Sequence, residues 1–241
     1  MRIDFQLAAL DHSLGFDWPG AMAWMAQHRV LNLTALAAYS SMLPQVALLT
    51  IALAMKEPQR VYCFLLAVSL SALACIAIWS FCPSFGAFSV YSPPPGMLLA
   101  LGQDYAHELV RLLREGPGLI SPRDTKGLIG FPSYHAVLAL LVAWHARKIA
   151  FLRWPAFLLN AAVLLATPIQ GGHHLVDVLA AFPVAAIVLF IAEMTAKQAT
   201  LVNKAPKFTL GAVSEGVFRI ILKQKDQHEP VALKPKLSGF S

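Results

Sequence analysis

Residues 61–81 read Val61-Tyr62-Cys63-Phe64-Leu65-Leu66-Ala67-Val68-Ser69-Leu70-Ser71-Ala72-Leu73-Ala74-Cys75-Ile76-Ala77-Ile78-Trp79-Ser80-Phe81, with no charged side chain in the run. A helix needs about 20 apolar residues to cross the hydrocarbon core of a bilayer, so this stretch predicts a membrane span. Upstream, Val30 to Met55 is also uncharged and contains Pro44, which predicts a kink. Lys56-Glu57-Pro58-Gln59-Arg60 forms the turn between the two. Downstream, Cys82 to Pro95 reads as loop, because Pro83, Gly86 and Pro93-Pro94-Pro95-Gly96 all break helices. Met97 to Leu113 has a helical apolar period interrupted by Gln103, Asp104, His107, Glu108 and Arg111, which predicts an amphipathic helix at the surface or over a site. Glu115 to Gly130 is a further loop.

Three more apolar segments follow, from about Ser133 to Ala146, Ile149 to Pro168 and His174 to Glu193. The predicted fold is therefore all-α, a multi-pass transmembrane bundle of about five spans plus amphipathic helices. Residues 1–29 read as an amphipathic entry segment, 30–195 as the membrane domain and 196–241 as a basic cytoplasmic tail. No basic-then-apolar leader precedes them.

Composition agrees. The chain is 57% hydrophobic and 13% charged, against about 25% charged in an average soluble domain. Of the net charge of +6, residues 196–241 carry +5. A basic tail after a final span suits a cytoplasmic end facing anionic lipid better than nucleic acid, since the charges are dispersed. Cys63, Cys75 and Cys82 are odd in number and show no Cys-x-x-Cys spacing, so they read as packing residues.

Two polar motifs interrupt this apolar background: Phe131-Pro132-Ser133-Tyr134-His135 and Gly171-Gly172-His173-His174-Leu175-Val176-Asp177. Ionisable groups in a membrane segment are costly and mark functional sites by default. The first motif opens one span; the chain turns at Arg147-Lys148 and returns, so the second motif opens a later span on the same face. Lys56, Arg60, Arg147, Lys148, Arg153 and the tail collect on the other face, which the positive-inside rule makes cytoplasmic. The expected location is a bacterial cytoplasmic (inner) membrane, with the motifs on the extracytoplasmic side. Arg111, Arg114, Arg123 and Lys126 run against the rule, and a phosphate-binding role would account for them.

His173 and Asp177 are i and i+4, one turn apart on one helix face. A carboxylate there can hold one ring proton and leave the other nitrogen as nucleophile or base. His174, at i+3 from Asp177, is a rival that spacing does not exclude. Gly171 and Gly172 free the backbone before the helix, and exposed N–H groups at a helix start favour an anion. Ser133 is a candidate N-cap or phosphate contact. His135, in the first turn of its helix, fits the acid that protonates a leaving alkoxide.

The pair Phe-Pro-Ser-x-His and Gly-Gly-His-x-x-x-Asp-Val-Leu-Ala resembles the second and third signature motifs of the lipid phosphate phosphatase superfamily, the type-2 phosphatidic acid phosphatases. It is most similar to the branch containing inositol phosphorylceramide synthase; Asp17-Trp18 and Leu112-Leu113-Arg114-Glu115-Gly116 also resemble that branch. The resemblance implies cofactor-free, metal-independent chemistry through a phosphohistidine, on a lipid phosphate or phospholipid, with an alcohol as a possible second substrate. His173 is then the nucleophile, Asp177 its orienter, His135 the general acid, and Ser133 a phosphate contact. Two departures stand out. Thr167 occupies the place of an arginine six residues before the nucleophile, and the family's first motif, Lys followed by Arg-Pro, is absent. Arg114, with Arg111, Arg123 or Lys126, would have to supply the positive charge, and Gly172 the backbone contact. The missing arginine leans towards head-group transfer over hydrolysis.

Two other readings compete. His173, His174, Asp177 and His135 could ligate zinc in a metal-dependent membrane hydrolase, although adjacent histidines on a helix diverge. A transporter would be expected to show inverted repeats and paired broken helices, and neither is visible in the sequence. Among the remaining polar residues, Asn160 and Gln45 read as interhelical hydrogen bonds. Trp18, Trp24, Trp144 and Trp154 read as interfacial anchors, and His145 as interfacial.

Overall fold

The computed structural model describes residues 2–101, 114, 116 and 129–204, with 199–204 as backbone only. Its α-helices are α1 (Asp4–Ser13), α2 (Trp18–Gln27), α3 (Arg29–Ser40), α4 (Met42–Lys56), α5 (Pro58–Phe81), α6 (Tyr134–Ala146), α7 (Ala150–Gln170) and α8 (Leu175–Lys204). A short 3-10 turn covers Ala87–Ser89, and no strand occurs among the described residues. Met1–Lys197 forms one compact unit. Gln198–Ser241 forms a second, of which 198–204 are described, as helix. The basic tail beyond 204, the residues 102–113 of the expected amphipathic helix, and Lys126 lie outside the described residues.

Among the described residues, three helices are long and apolar enough to cross a membrane: α5, α7 and Leu175–Gln198 of α8. The expected first span is a bent pair, α3 and α4, meeting at 46°. The bend falls at Ser41, before Pro44 rather than on it. Pro44 is the third residue of α4, where its missing N–H belongs to a helix start, so the helix restarts instead of kinking. Ser41 secures the break: its hydroxyl donates to the Ala38 carbonyl at 2.6 Å and accepts from Gln45 Nε2 at 2.8 Å.

The remaining expected span, α6, is different. Its 13 residues reach about 20 Å, against roughly 30 Å of hydrocarbon. It packs among α4, α5 and α7, with Val178, Ala181, Ala185, Val188 and Ala192 of α8 in the same core. Lipid tails are as apolar as leucine, so close packing of small residues must supply the association. The pattern is visible: Ala67, Ser71 and Cys75 recur every four residues on α5, and Ala181 and Ala185 on α8, all buried. Asn160 and Gln45, each expected to bond between helices, bond to one another: Asn160 Nδ2 donates to Gln45 Oε1 at 2.8 Å, joining α7 to α4.

Three expectations are corrected. Trp18 is an interior residue, stacked on Tyr91 with centroids 5.4 Å apart, its indole N–H donating to the Pro168 carbonyl at 3.1 Å. That carbonyl, near the end of α7, has no intrahelical partner, which explains the pull. His145 is buried against Phe64, with Nδ1 donating to the Leu141 carbonyl at 2.9 Å. Residues 97–101 are not helical. Gln170 captures them: its side-chain oxygen takes the Ala100 N–H at 3.0 Å and its carbonyl the Leu101 N–H at 3.2 Å. Gln170 is itself held by Asn32, at 2.6 Å from Nε2 to Oδ1.

Candidate active site

The turn between α7 and α8 carries the second motif. Gly172 has φ +59°, a left-handed conformation that glycine adopts without strain, and the Phe88 ring occupies the space a Cβ would need. Its carbonyl accepts the Ala87 N–H at 2.6 Å, tying the turn to the 3-10 segment. Gly171 is equally confined: a Cβ there would run into Tyr39 Oη and His173 Cδ2.

His173 follows, with 6% of its surface exposed. Its Nδ1 faces the Gly130 carbonyl at 2.9 Å and Asp177 Oδ2 at 3.3 Å. A carbonyl oxygen can only accept, so Nδ1 carries the proton and Nε2 of the neutral ring keeps its lone pair. The Gly130 carbonyl is thus the nearer orienter of this ring and Asp177 the farther one. A backbone carbonyl has no sequence signature, which is why spacing pointed to the carboxylate alone.

His174 is fully buried, and its Nδ1 lies 3.3 Å from Asp11 Oδ2. Spacing left the two histidines as rivals. The structure separates them: one ring is fixed with a free lone pair at a slightly open position, the other is sealed in the interior.

Asp177 is also fully buried. Its Oδ2 accepts the His174 N–H at 2.8 Å, the reach of a third-position acid back to the N-cap residue in a capping box. Its carbonyl accepts the Ser133 N–H at 3.1 Å, which joins the two motifs directly. Ser133 is buried and caps α6, its hydroxyl accepting the Ala136 N–H at 3.4 Å.

In the first turn of α6, half-buried His135 stacks on Tyr39, with ring centroids 4.3 Å apart and planes 8° from parallel. Tyr39 comes from α3, and its hydroxyl end borders Gly171 beside His173. The site therefore contains a fixed nucleophile candidate, a second imidazole and an aromatic ring between their two helices.

The expectation of open N–H groups at the start of α8 is corrected. The Leu175 N–H donates to Asp11 Oδ2 at 3.0 Å and the Val176 N–H to Asp11 Oδ1 at 2.9 Å. The Asp177 N–H donates to the His174 carbonyl at 3.1 Å. That helix end already faces an anion, the Asp11 carboxylate. Thr167, in place of the family arginine, is buried and donates its hydroxyl to the Val163 carbonyl at 2.7 Å within its own helix. Arg114 is exposed, and Arg111, Arg123 and Lys126 lie outside the described residues. No three His, Cys, Asp or Glu side chains converge as a metal-binding group among the described residues.

The model of the PAP2 superfamily matches residues 5–191, which include both histidine motifs, Asp11 and Tyr39. The chain belongs to the PAP2 superfamily. Membership in this family supports a phosphatase-type function, and the apolar helices place that function in a membrane protein. No curated protein and no solved structure matches the chain.

Proposed function

We propose that the chain is an integral membrane enzyme that cleaves phosphoesters of lipids through a phosphohistidine at His173. The observation that carries this reading is the Gly130 carbonyl on His173 Nδ1, at 2.9 Å, which leaves Nε2 unprotonated and nucleophilic in the neutral ring. Nε2 attacks phosphorus, the N–P bond forms, and the ester P–O bond breaks. His135 gives its proton to the departing oxygen. The phosphorylated ring is cationic, and the Asp177 carboxylate at 3.3 Å offsets that charge. Water then attacks phosphorus, the N–P bond breaks, and His135 takes the proton back. If a second alcohol replaces water, the same steps transfer a head group. The arginine missing at Thr167 favours testing that route, as in the branch represented by inositol phosphorylceramide synthase.

The test is purified protein with a panel of lipid phosphates and phospholipids, with and without an alcohol acceptor. Free phosphate and transferred head group are both measured, before and after exhaustive chelation. Turnover that survives chelation is expected, whereas strict dependence on added zinc would replace this mechanism with the metal hydrolase. Vesicle accumulation of substrate with no turnover would favour a transporter.

The active site in this reading opens on the extracytoplasmic face of a bacterial cytoplasmic membrane. Lys56 and Arg60 lie at the α4–α5 turn and Arg147, Lys148 and Arg153 at the α6–α7 turn, at the far end of α6 from Ser133. A reporter fused after Ser241 is expected to be active only in the cytoplasm; an externally active reporter would invert the topology.

A further inference from the structure

Helix α1 turns both of its acids inward. Its buried face is Asp4, Leu7, Ala8 and Asp11, while Phe5 and Leu10 point outward. Both acids are committed. Asp4 Oδ1 accepts from the Ser84 hydroxyl at 2.9 Å and the Phe85 N–H at 2.7 Å. Asp11 receives the Leu175 and Val176 N–H groups and faces His174 Nδ1. Together they pin α1 along the edge of the motif turn.

We propose that Asp11 is a positioning residue for the nucleophile, holding the first turn of α8 and the His174 ring in place so that His173 is presented to the phosphorus. Four observations converge. The first two amides of α8 have no intrahelical acceptor, and one carboxylate takes both. A carboxylate can only accept, so it fixes the proton of His174 on Nδ1. That ring is sealed in the interior and reaches no substrate, so its contact with Asp11 serves the backbone of the residue beside it. The carboxylate also sits at the positive end of the α8 dipole. The grip on substrate phosphate therefore falls to groups other than these amides. Asp11 touches no reacting atom; it acts through residues 174–176.

This inference rests on His173 being the nucleophile, and its test has one arm that needs no turnover. Asp11→Ala and Asp11→Asn are made in the full chain in detergent micelles. Amide hydrogen exchange is read across residues 171–178, and kcat and KM are taken per folded molecule on the best substrate of the lipid panel. Exchange at Leu175 and Val176 is expected to rise in Asp11→Ala. Its kcat is expected to fall by about 10²-fold with KM within about twofold, the signature of a misplaced reacting group. Asp11→Asn, which keeps one acceptor oxygen, should lie between. A wild-type kcat per folded Asp11→Ala molecule, or a loss confined to KM, overturns the proposal. If wild-type protein turns over no phosphoester, the catalytic reading fails, and unchanged exchange at Leu175 and Val176 would then independently remove Asp11 from the turn.

Discussion

His173→Ala is expected to abolish the phosphoenzyme and to cut turnover on the order of 10⁴-fold or more. The argument is geometric. The ring is turned by two acceptors on one nitrogen, the Gly130 carbonyl and Asp177 Oδ2, so its chemistry is concentrated on the other nitrogen. Alanine leaves those acceptors in place and removes only the group that forms the N–P bond. Acid-labile label trapped from a radiolabelled lipid phosphate should vanish in His173→Ala and persist, more slowly formed, in His174→Ala. Full turnover in His173→Ala would end the phosphohistidine mechanism. Label lost with His174→Ala and kept with His173→Ala would reverse the assignment.

His135→Ala is expected to carry the second-largest effect, and its size should depend on the leaving group. Removing a general acid costs typically about 10²–10⁴-fold. An alkoxide leaves poorly without a proton, so a dialkylglycerol phosphate should show the full loss. An aryl phosphate, whose leaving oxygen is stable as an anion, should show much less. The measurement is the ratio of kcat/KM for the two substrates in wild type and variant. Equal losses on both would mean that His135 positions phosphate instead of moving a proton. The face-on stacking of Tyr39 at 4.3 Å gives the imidazole a fixed plane in which to do either.

The helical membrane class was legible because lipid leaves few solutions for a run such as 61–81, and α5 follows it closely. That Asn160 and Gln45 bond between helices was legible for a related reason, since polar groups in spans seek partners, although their pairing with one another was not. An i, i+4 helix argument pairs His173 with Asp177; they do lie 3.3 Å apart, but His173 precedes α8, and the turn before the helix brings them together. Other features left no local trace. Asp11 falls within a segment read only as an amphipathic entry, and nothing near it names a partner 164 residues away. The Gly130 carbonyl is a backbone atom that every residue possesses. The helical period after Met97 is real, but the first residues lose to Gln170, which takes two of their N–H groups in a non-helical arrangement. Trp18 was read as an anchor because indole favours membrane interfaces, yet an unpartnered carbonyl at the end of α7 offers it a bond inside.

The Asp11 clamp also has a temporal side. A ribosome makes Asp11 first and Leu175 164 residues later. At roughly 5–20 residues per second, the wait is about ten to thirty seconds. During that interval Asp4 can already accept from Ser84 and Phe85, but Asp11 still lacks the Leu175 and Val176 amides that it accepts from in the folded chain. The motif turn is closed by two segments made 164 residues apart. In the proposed mechanism, the turn that presents His173 is therefore completed only once the start of α8 has been made.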